Sequence, residues 1–213
     1  IIFLIKIADF YRNPDYSIKE PTTQTLYAGK NVTQKNSGHI KNDDPQLEEQ
    51  ERLVKASYKA SPNAHKKNVV LIIVDALRPD HMGVYNYHRN NSPYLSQLQQ
   101  EGKLIKINQV RGSCGESSCG LISITSSKFK HQVPSEPYSL QHALKVQGYE
   151  VNMILGGDHT NFYNLRTLYG PVDYFYDGSH AKNYYMNDDS FVIDQVKKLS
   201  KWNGKPTMFQ FHL

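Results

Sequence analysis

Six consecutive apolar residues, Val69 to Val74, run without a break into an acid, Asp75. A continuous β-branched run of this length is the pattern of a central strand in a parallel sheet, covered on both faces. Strands alternating with helices then follow at regular lengths. A carboxylate set at the end of such a strand is costly to bury unless it is paired or metal-bound. Asp75 is therefore read as a metal ligand.

The remaining elements fit the same frame. Ser92-Pro93 opens a helix, with Ser92 as N-cap and Pro93 at its first position, closed at Gly102. Leu104 to Val110 reads as a second strand. A helix after Cys119 carries Leu121, Ile122 and Ile124. Ser139 to Val146 is a helix closed by Gly148, and Val151 to Leu155 is a strand. Asn187 to Trp202 reads as a helix and Thr207 to Leu213 as a further strand. The expected fold is a three-layer α/β/α sandwich with a mostly parallel sheet. Upstream, residues 1–67 read as a polar linker with one helix near Asp44 to Tyr58, and residues 68–213 as the N-terminal part of a catalytic domain. Asn31-Val32-Thr33 fits an N-glycosylation acceptor, a triplet that also arises by chance.

In open α/β sheets, ligands collect at the carboxyl ends of the strands. Three polar segments converge there: Asp75, Gly156-Gly157-Asp158-His159, and the turn Cys114-Gly115-Glu116-Ser117-Ser118-Cys119-Gly120. Helix-start amides bind anions, so Ser117 or Ser118 is placed to act as a nucleophile on an anionic ester beside a metal. Ordinary N-capping explains one hydroxyl but not the whole cluster. Asp80 and His81 offer further ligand atoms, although Arg78-Pro79-Asp80 also reads as a salt-bridged turn. His159 and Arg166 read as a pair of cations suited to phosphate oxygens. The other histidines, including His212, and the tyrosines from Tyr174 to Tyr185 read as surface or packing residues. Together these features point to metal-assisted transfer or hydrolysis of phosphate or sulfate esters.

Composition excludes little. A formal charge of +5 over 213 residues, with the basic residues spread along the chain, does not make a nucleic-acid patch. Two cysteines, Cys114 and Cys119, are too few for a disulfide scaffold or a zinc site of their own. Bracketing one turn, they are expected to bridge, which places the domain in an oxidising space. No segment is long enough to span a membrane. The apolar start, Ile1 to Ile5, and the strand-like end, Lys205 to Leu213, suggest a fragment of a longer chain.

The series IVDALRPDHMGVYNYHRNNSPYLSQLQQEGKL, the serine-bearing turn, SITSSKFKHQ and SLQHALKVQGYEV resembles the sulfatase-like branch of the alkaline phosphatase superfamily. GGDHTNFYNLRTLYGPVDYFYDG is similar to its membrane-anchored members, the phosphoethanolamine transferases and the phosphoglycerol-transferring lipoteichoic acid synthases. The resemblance covers residues 68–213. It implies an alkaline phosphatase-like fold, with Asp75 as first metal ligand and a divalent ion (Zn, Mn or Ca). A serine nucleophile also ligates the metal. Matching SSKFKHQ to the family's helix end puts Ser117 at that position, while counting from Cys114 puts Ser118 there; the first is preferred. The sulfatase nucleophile motif Cys-x-Pro-Ser-Arg is absent, with Gly120 and Leu121 where its Ser and Arg would fall, and Ala76 replaces the usual second acid. The later Asp-His pair of metal ligands is not in this chain.

The resemblance thus implies transfer of a phosphoethanolamine or phosphoglycerol group from a lipid donor to a cell-envelope glycan or lipid. The domain would lie outside the cytoplasm, anchored to the membrane by a segment upstream of residue 1. The alternatives are a sulfate- or phosphate-ester hydrolase of the same fold and a non-catalytic truncated domain.

Overall fold

The structure, a computed structural model, describes residues 44–180 and 188–213. The expected linker before residue 44, its Asn31 acceptor triplet and Asn187 lie outside them. The described chain forms two compact units, one made of residues up to 73 together with 113–213, the other of 74–112.

The larger unit is built on four strands, β1 (Val69–Ile73), β2 (Glu150–Leu155), β3 (Tyr174–Tyr176) and β4 (Thr207–His212). Their order is β1-β4-β2-β3 and every pairing is parallel. Ile73 and Leu155 both pair with His212, and Ile154 pairs with Tyr176. The carboxyl ends of all four strands therefore share one rim.

Helices cover both faces because β2 alternates. Met153 and Leu155 pack with Leu121 and Ile122 of α3 (Ser117–Ser126) and with Leu165, Leu168 and Tyr169 of α5 (Leu165–Tyr169). Val151 joins Met208, Leu140 and Leu144, the last two from α4 (Leu140–Val146). Ile154 points the other way, onto Phe191 and Val192 of α6 (Ser190–Lys197). A period of two on a strand sends successive side chains to opposite faces. Each of these fully buried side chains stabilises the fold by about 2 kcal/mol. Ser139 starts α4 with a capping box, its hydroxyl accepting from the His142 amide. Ahead of the sheet, α1 (Pro45–Ser57) is capped by Asp44 and buries Glu51, which takes Lys128 Nζ at 3.0 Å and the Tyr138 amide.

The smaller unit holds two short 3-10 turns and α2 (Pro93–Gln100). Ser92 occupies the N-cap position without capping: its hydroxyl accepts from the Gly83 amide at 2.9 Å and ties the turn to the helix start.

Three expectations are corrected. Among the described residues Val69–Ile73 lies at the edge of the sheet rather than in its centre, because β4 takes the place beside β2. Val70 and Ile72 are 58% and 59% exposed. Leu104 to Val110 is not a strand; none of the described backbone pairs with it, and Ile105 is 91% exposed. The helix expected up to Trp202 ends at Lys197, before the Asn203-Gly204 turn, where Gly204 adopts φ +85°. The short strand β3 and helix α5 went unread.

Candidate active site

The turn that leads into α3 is closed by a covalent bond. Cys114 and Cys119 are disulfide-bonded with Cα atoms 6.3 Å apart, within the span that a bridge reaches. Glu116 is extended at the N-cap of α3 (φ −133°, ψ 150°) and its carboxylate does not cap the helix. It accepts instead from Ser118 Oγ at 3.1 Å and from Lys130 Nζ at 2.7 Å. Burial pushes the Glu116 carboxyl up, but Lys130 and the Ser118 hydroxyl outweigh it and hold it below the usual range. The two serines therefore differ. Ser118 is 1% exposed with its hydroxyl committed to Glu116, whereas Ser117 is half-buried at the first position of the helix. Amides of the first helical turn point out of the helix end, where an anion is favoured.

His159 follows β2 on the Gly156-Gly157 turn. The Gly156 amide donates to His212 O at 2.8 Å, and a Cβ there would sit 3.0 Å from that oxygen. A side chain at this position would have to push that carbonyl back by a few tenths of an ångström. His159 is 4% exposed. Its Nδ1 lies 2.7 Å from the Tyr169 hydroxyl, and its Nε2 lies 2.9 Å from Gly156 O and 3.0 Å from His212 Nδ1. Burial, then His212, depress its pKa to about 4, so the ring is neutral at pH 7. With the ring proton on Nε2, the Tyr169 O–H donates to Nδ1 and the single Nε2–H is shared between Gly156 O and His212 Nδ1.

Arg166, in the first turn of α5, donates its amide to His159 O at 3.0 Å. Its guanidinium donates to Gly170 O at 3.0 Å and stands 4.7 Å above the Phe175 ring. The structure brings His159 and Arg166 together but not as two cations, because an enclosed imidazole sheds its charge.

Asp75 belongs to the smaller unit, where it is exposed and accepts from the Ala76 amide at 2.8 Å. Ala76 adopts φ +55°, a left-handed conformation that costs a non-glycine residue energy. Asp80 pairs with Arg78 at 2.5 Å, which holds its carboxyl below the usual range, so the salt-bridged turn is formed. Among the described residues, no three His, Cys, Asp or Glu side chains form a group able to hold a metal ion.

Asp177 escaped the sequence reading. It is fully buried after β3 and accepts from Thr160 N and Oγ1 and from Ser179 Oγ. Burial raises its pKa, but these bonds and His180 reverse the shift. The signal was an acid after an apolar strand, as at Asp75, but a strand as short as Tyr174–Tyr176 hides it. His212 is buried at the end of β4, the packing alternative of its sequence reading.

The sulfatase family profile matches residues 67–213. The chain belongs to the sulfatase family. No curated protein matches this sulfatase-family chain significantly. Among solved structures, it resembles the C-terminal periplasmic domain of EptC from Escherichia coli, at 19% identity and TM-score 0.57. That match covers 74% of this chain and 45% of the other. The zinc complex of the same domain matches at 17% identity and TM-score 0.58, over 74% and 46%. The integral membrane lipooligosaccharide phosphoethanolamine transferase A from Neisseria meningitidis matches at 16% identity and TM-score 0.58, over 99% of this chain and 39% of that one. The sulfatase-family chain thus spans less than half the length of these neighbours. At such identities the likeness shows the fold, an alkaline phosphatase-like α/β architecture. No described helix is long and apolar enough to cross a membrane.

Proposed function

We propose that this chain is the nucleophile-bearing part of a metal-dependent transferase. The reaction moves a phosphoethanolamine or phosphoglycerol group from a lipid donor to a cell-envelope glycan or lipid. Residues 68–213 are read as part of the catalytic domain and residues 1–67 as its tether, outside the cytoplasm. The observation that carries the reading is the contrast between the two serines: Ser118 is enclosed and bonded to Glu116, while Ser117 opens α3 half-exposed in a disulfide-closed turn. Family membership and the named activities of the structural neighbours support the class of reaction.

In the first step Ser117 Oγ attacks the head-group phosphorus. The Oγ–P bond forms, the bond from phosphorus to the diacylglycerol oxygen breaks, and the serine proton ends on that oxygen. In the second step an acceptor oxygen attacks phosphorus, the bond to Oγ breaks, and Ser117 recovers a proton from the acceptor. Helix-start amides of α3 stabilise charge on the phosphoryl oxygens, and Arg166 adds positive charge. His159, neutral and enclosed, fixes the loop that leads to Arg166. Asp75 and Ser117 are the proposed oxygen ligands of a divalent metal, whose charge lowers the pKa of a bound hydroxyl. The described residues do not complete such a centre by themselves.

The test uses the full-length protein in vesicles of phosphatidylethanolamine or phosphatidylglycerol, with peptide mass mapping. A head-group phosphoryl adduct on Ser117 is expected, lost in Ser117→Ala and still present on Ser117 in Ser118→Ala. Full turnover in Ser117→Ala would overturn the assignment, and turnover without any acceptor would make the enzyme a hydrolase.

A further inference from the structure

We infer that the cleft between the amino end of the sheet and the segment after α6 binds a saccharide, with Trp202 as its stacking platform. The floor of the cleft is set by strand register. Asn152 on β2 is in register with Phe209 on β4 and with Tyr174 on β3, so the three form one row across the sheet. Paired residues of neighbouring strands face the same side, and Asn152 shares that side with Ile154, two residues on. α6 covers Ile154 through Phe191 but ends at Lys197. The row nearer the strand starts is thus left as the floor of a cleft of about 550 Å³, with Leu199 and Trp202 also lining it. Sites for small ligands occupy roughly 300–1,000 Å³.

The lining combines flat apolar rings with fixed polar groups. Trp202 is 63% exposed, yet its ring is tethered, because Nε1 donates to Lys205 O at 2.6 Å. The Tyr174 hydroxyl donates to Gln195 Oε1 at 3.5 Å. Glu150 accepts from Asn152 Nδ2 at 3.3 Å and from Asn203 Nδ2 at 3.1 Å, which ties one carboxylate to two planar amides. A sugar ring presents a face of C–H groups and an edge of hydroxyls. The face lies on aromatic rings, and the hydroxyls pair with amides and carboxylates. An acyl chain would bury Glu150 against hydrocarbon, and a free phosphate offers the rings no apolar face. Glu150 begins β2 and Leu155 ends it, so the cleft lies about 16 Å along the strand from the rim that carries His159. It is therefore separate from the proposed reaction site. Only the identification of this saccharide with part of a glycan acceptor rests on the transferase reading.

The experiment titrates the 213-residue chain with triacetylchitotriose, with maltotriose and with inorganic phosphate. Trp202 is the one tryptophan of the sequence, so its emission reports on this cleft alone. A saturable shift of emission is expected with at least one trisaccharide, at a dissociation constant of about 1 mM or tighter, and none with phosphate. Calorimetry then compares variants. Trp202→Leu, which keeps apolar bulk but loses the flat ring, is expected to weaken binding about tenfold, and Trp202→Phe to stay within about threefold of the wild type. Asn203→Ala, which changes an exposed side chain, is expected to weaken binding about threefold or more. No shift with either trisaccharide up to about 20 mM would overturn the site. So would a shift produced by phosphate alone, or one that follows protein concentration without sugar and marks a second copy in the cleft. Unchanged affinity in both Trp202→Leu and Asn203→Ala would place the sugar elsewhere. Binding is read without turnover, so it stands or falls apart from the transferase reading, which the serine adduct tests.

Discussion

His159 Nε2 lies 3.0 Å from His212 Nδ1, joining the loop after β2 to the end of β4. Two imidazoles this close cannot both be charged at low cost. His159 also faces Tyr169 from α5, Asp177 after β3 and Asp158 on its own loop; the two carboxylates favour the charged ring, but burial and His212 prevail. The folded-state value of about 4 lies below the ordinary 6.5. Above pH 6.5 the ring is neutral in both folded and unfolded chains, and nothing is lost. Between pH 6.5 and 4 the unfolded chain takes up a proton that the folded chain refuses, so stability falls as pH falls. The loss approaches about 3 kcal/mol at the acid end. Urea denaturation across this range should show the decline in the wild type and a flatter profile in His159→Gln. An equal slope in both would remove His159 as its source.

The Cys114–Cys119 bridge closes a ring with a sequence separation of 5. Loop-closure entropy for so short a ring stabilises the fold by about 2 kcal/mol. The double variant Cys114→Ala/Cys119→Ala should lower the unfolding free energy by that order in chemical denaturation. Thiol labelling of the denatured, unreduced wild type should find no free thiol, and two labelled thiols would show the bridge absent.

The sheet order assigns unequal weight to apolar residues that look alike in sequence. Leu155 is fully buried in the core with Leu121 and Leu165, and Leu155→Ala should cost about 2–5 kcal/mol. Val70, exposed on the edge strand, should cost less than about 0.5 kcal/mol in Val70→Ala. Both are read by denaturation of the 213-residue chain. Equal losses would put β1 back in a covered, central place.

Under the proposed function, Asp75→Ala in the full-length protein lowers bound divalent metal to less than about half of the wild-type content. Elemental analysis of the purified protein measures it. Undiminished content would exclude Asp75 as a ligand.

The helices and strands legible in the sequence are those with strong local signals. Ser139 to Val146, closed by Gly148, is legible as the helix α4, and Val151–Leu155 as the strand β2. What stayed hidden depends on pairing across the chain. Nothing within Val69–Ile73 says that β4 will separate it from β2, and the alternation of Leu104 to Val110 cannot show that none of the described strands pairs with it. The site divides in the same way. A serine turn between two cysteines is local and was readable. The neutral state of His159 was not, since it follows from burial and from His212, which is distant in sequence.

β4 pairs with β1 on one side and β2 on the other, with Val69 and Val151 both in register with Met208. Among the described strands β4 is therefore the keystone between β1 and β2, and both partners are made long before it. During synthesis β1 and β2 wait with unpaired backbone edges until Thr207–His212 leaves the ribosome. Such late, non-local closure slows folding and prolongs the interval in which those edges can recruit other chains. The central position of β4 thus constrains the order of assembly: the contact between His159 and His212 forms only after Thr207–His212 has been made and has joined β1 to β2.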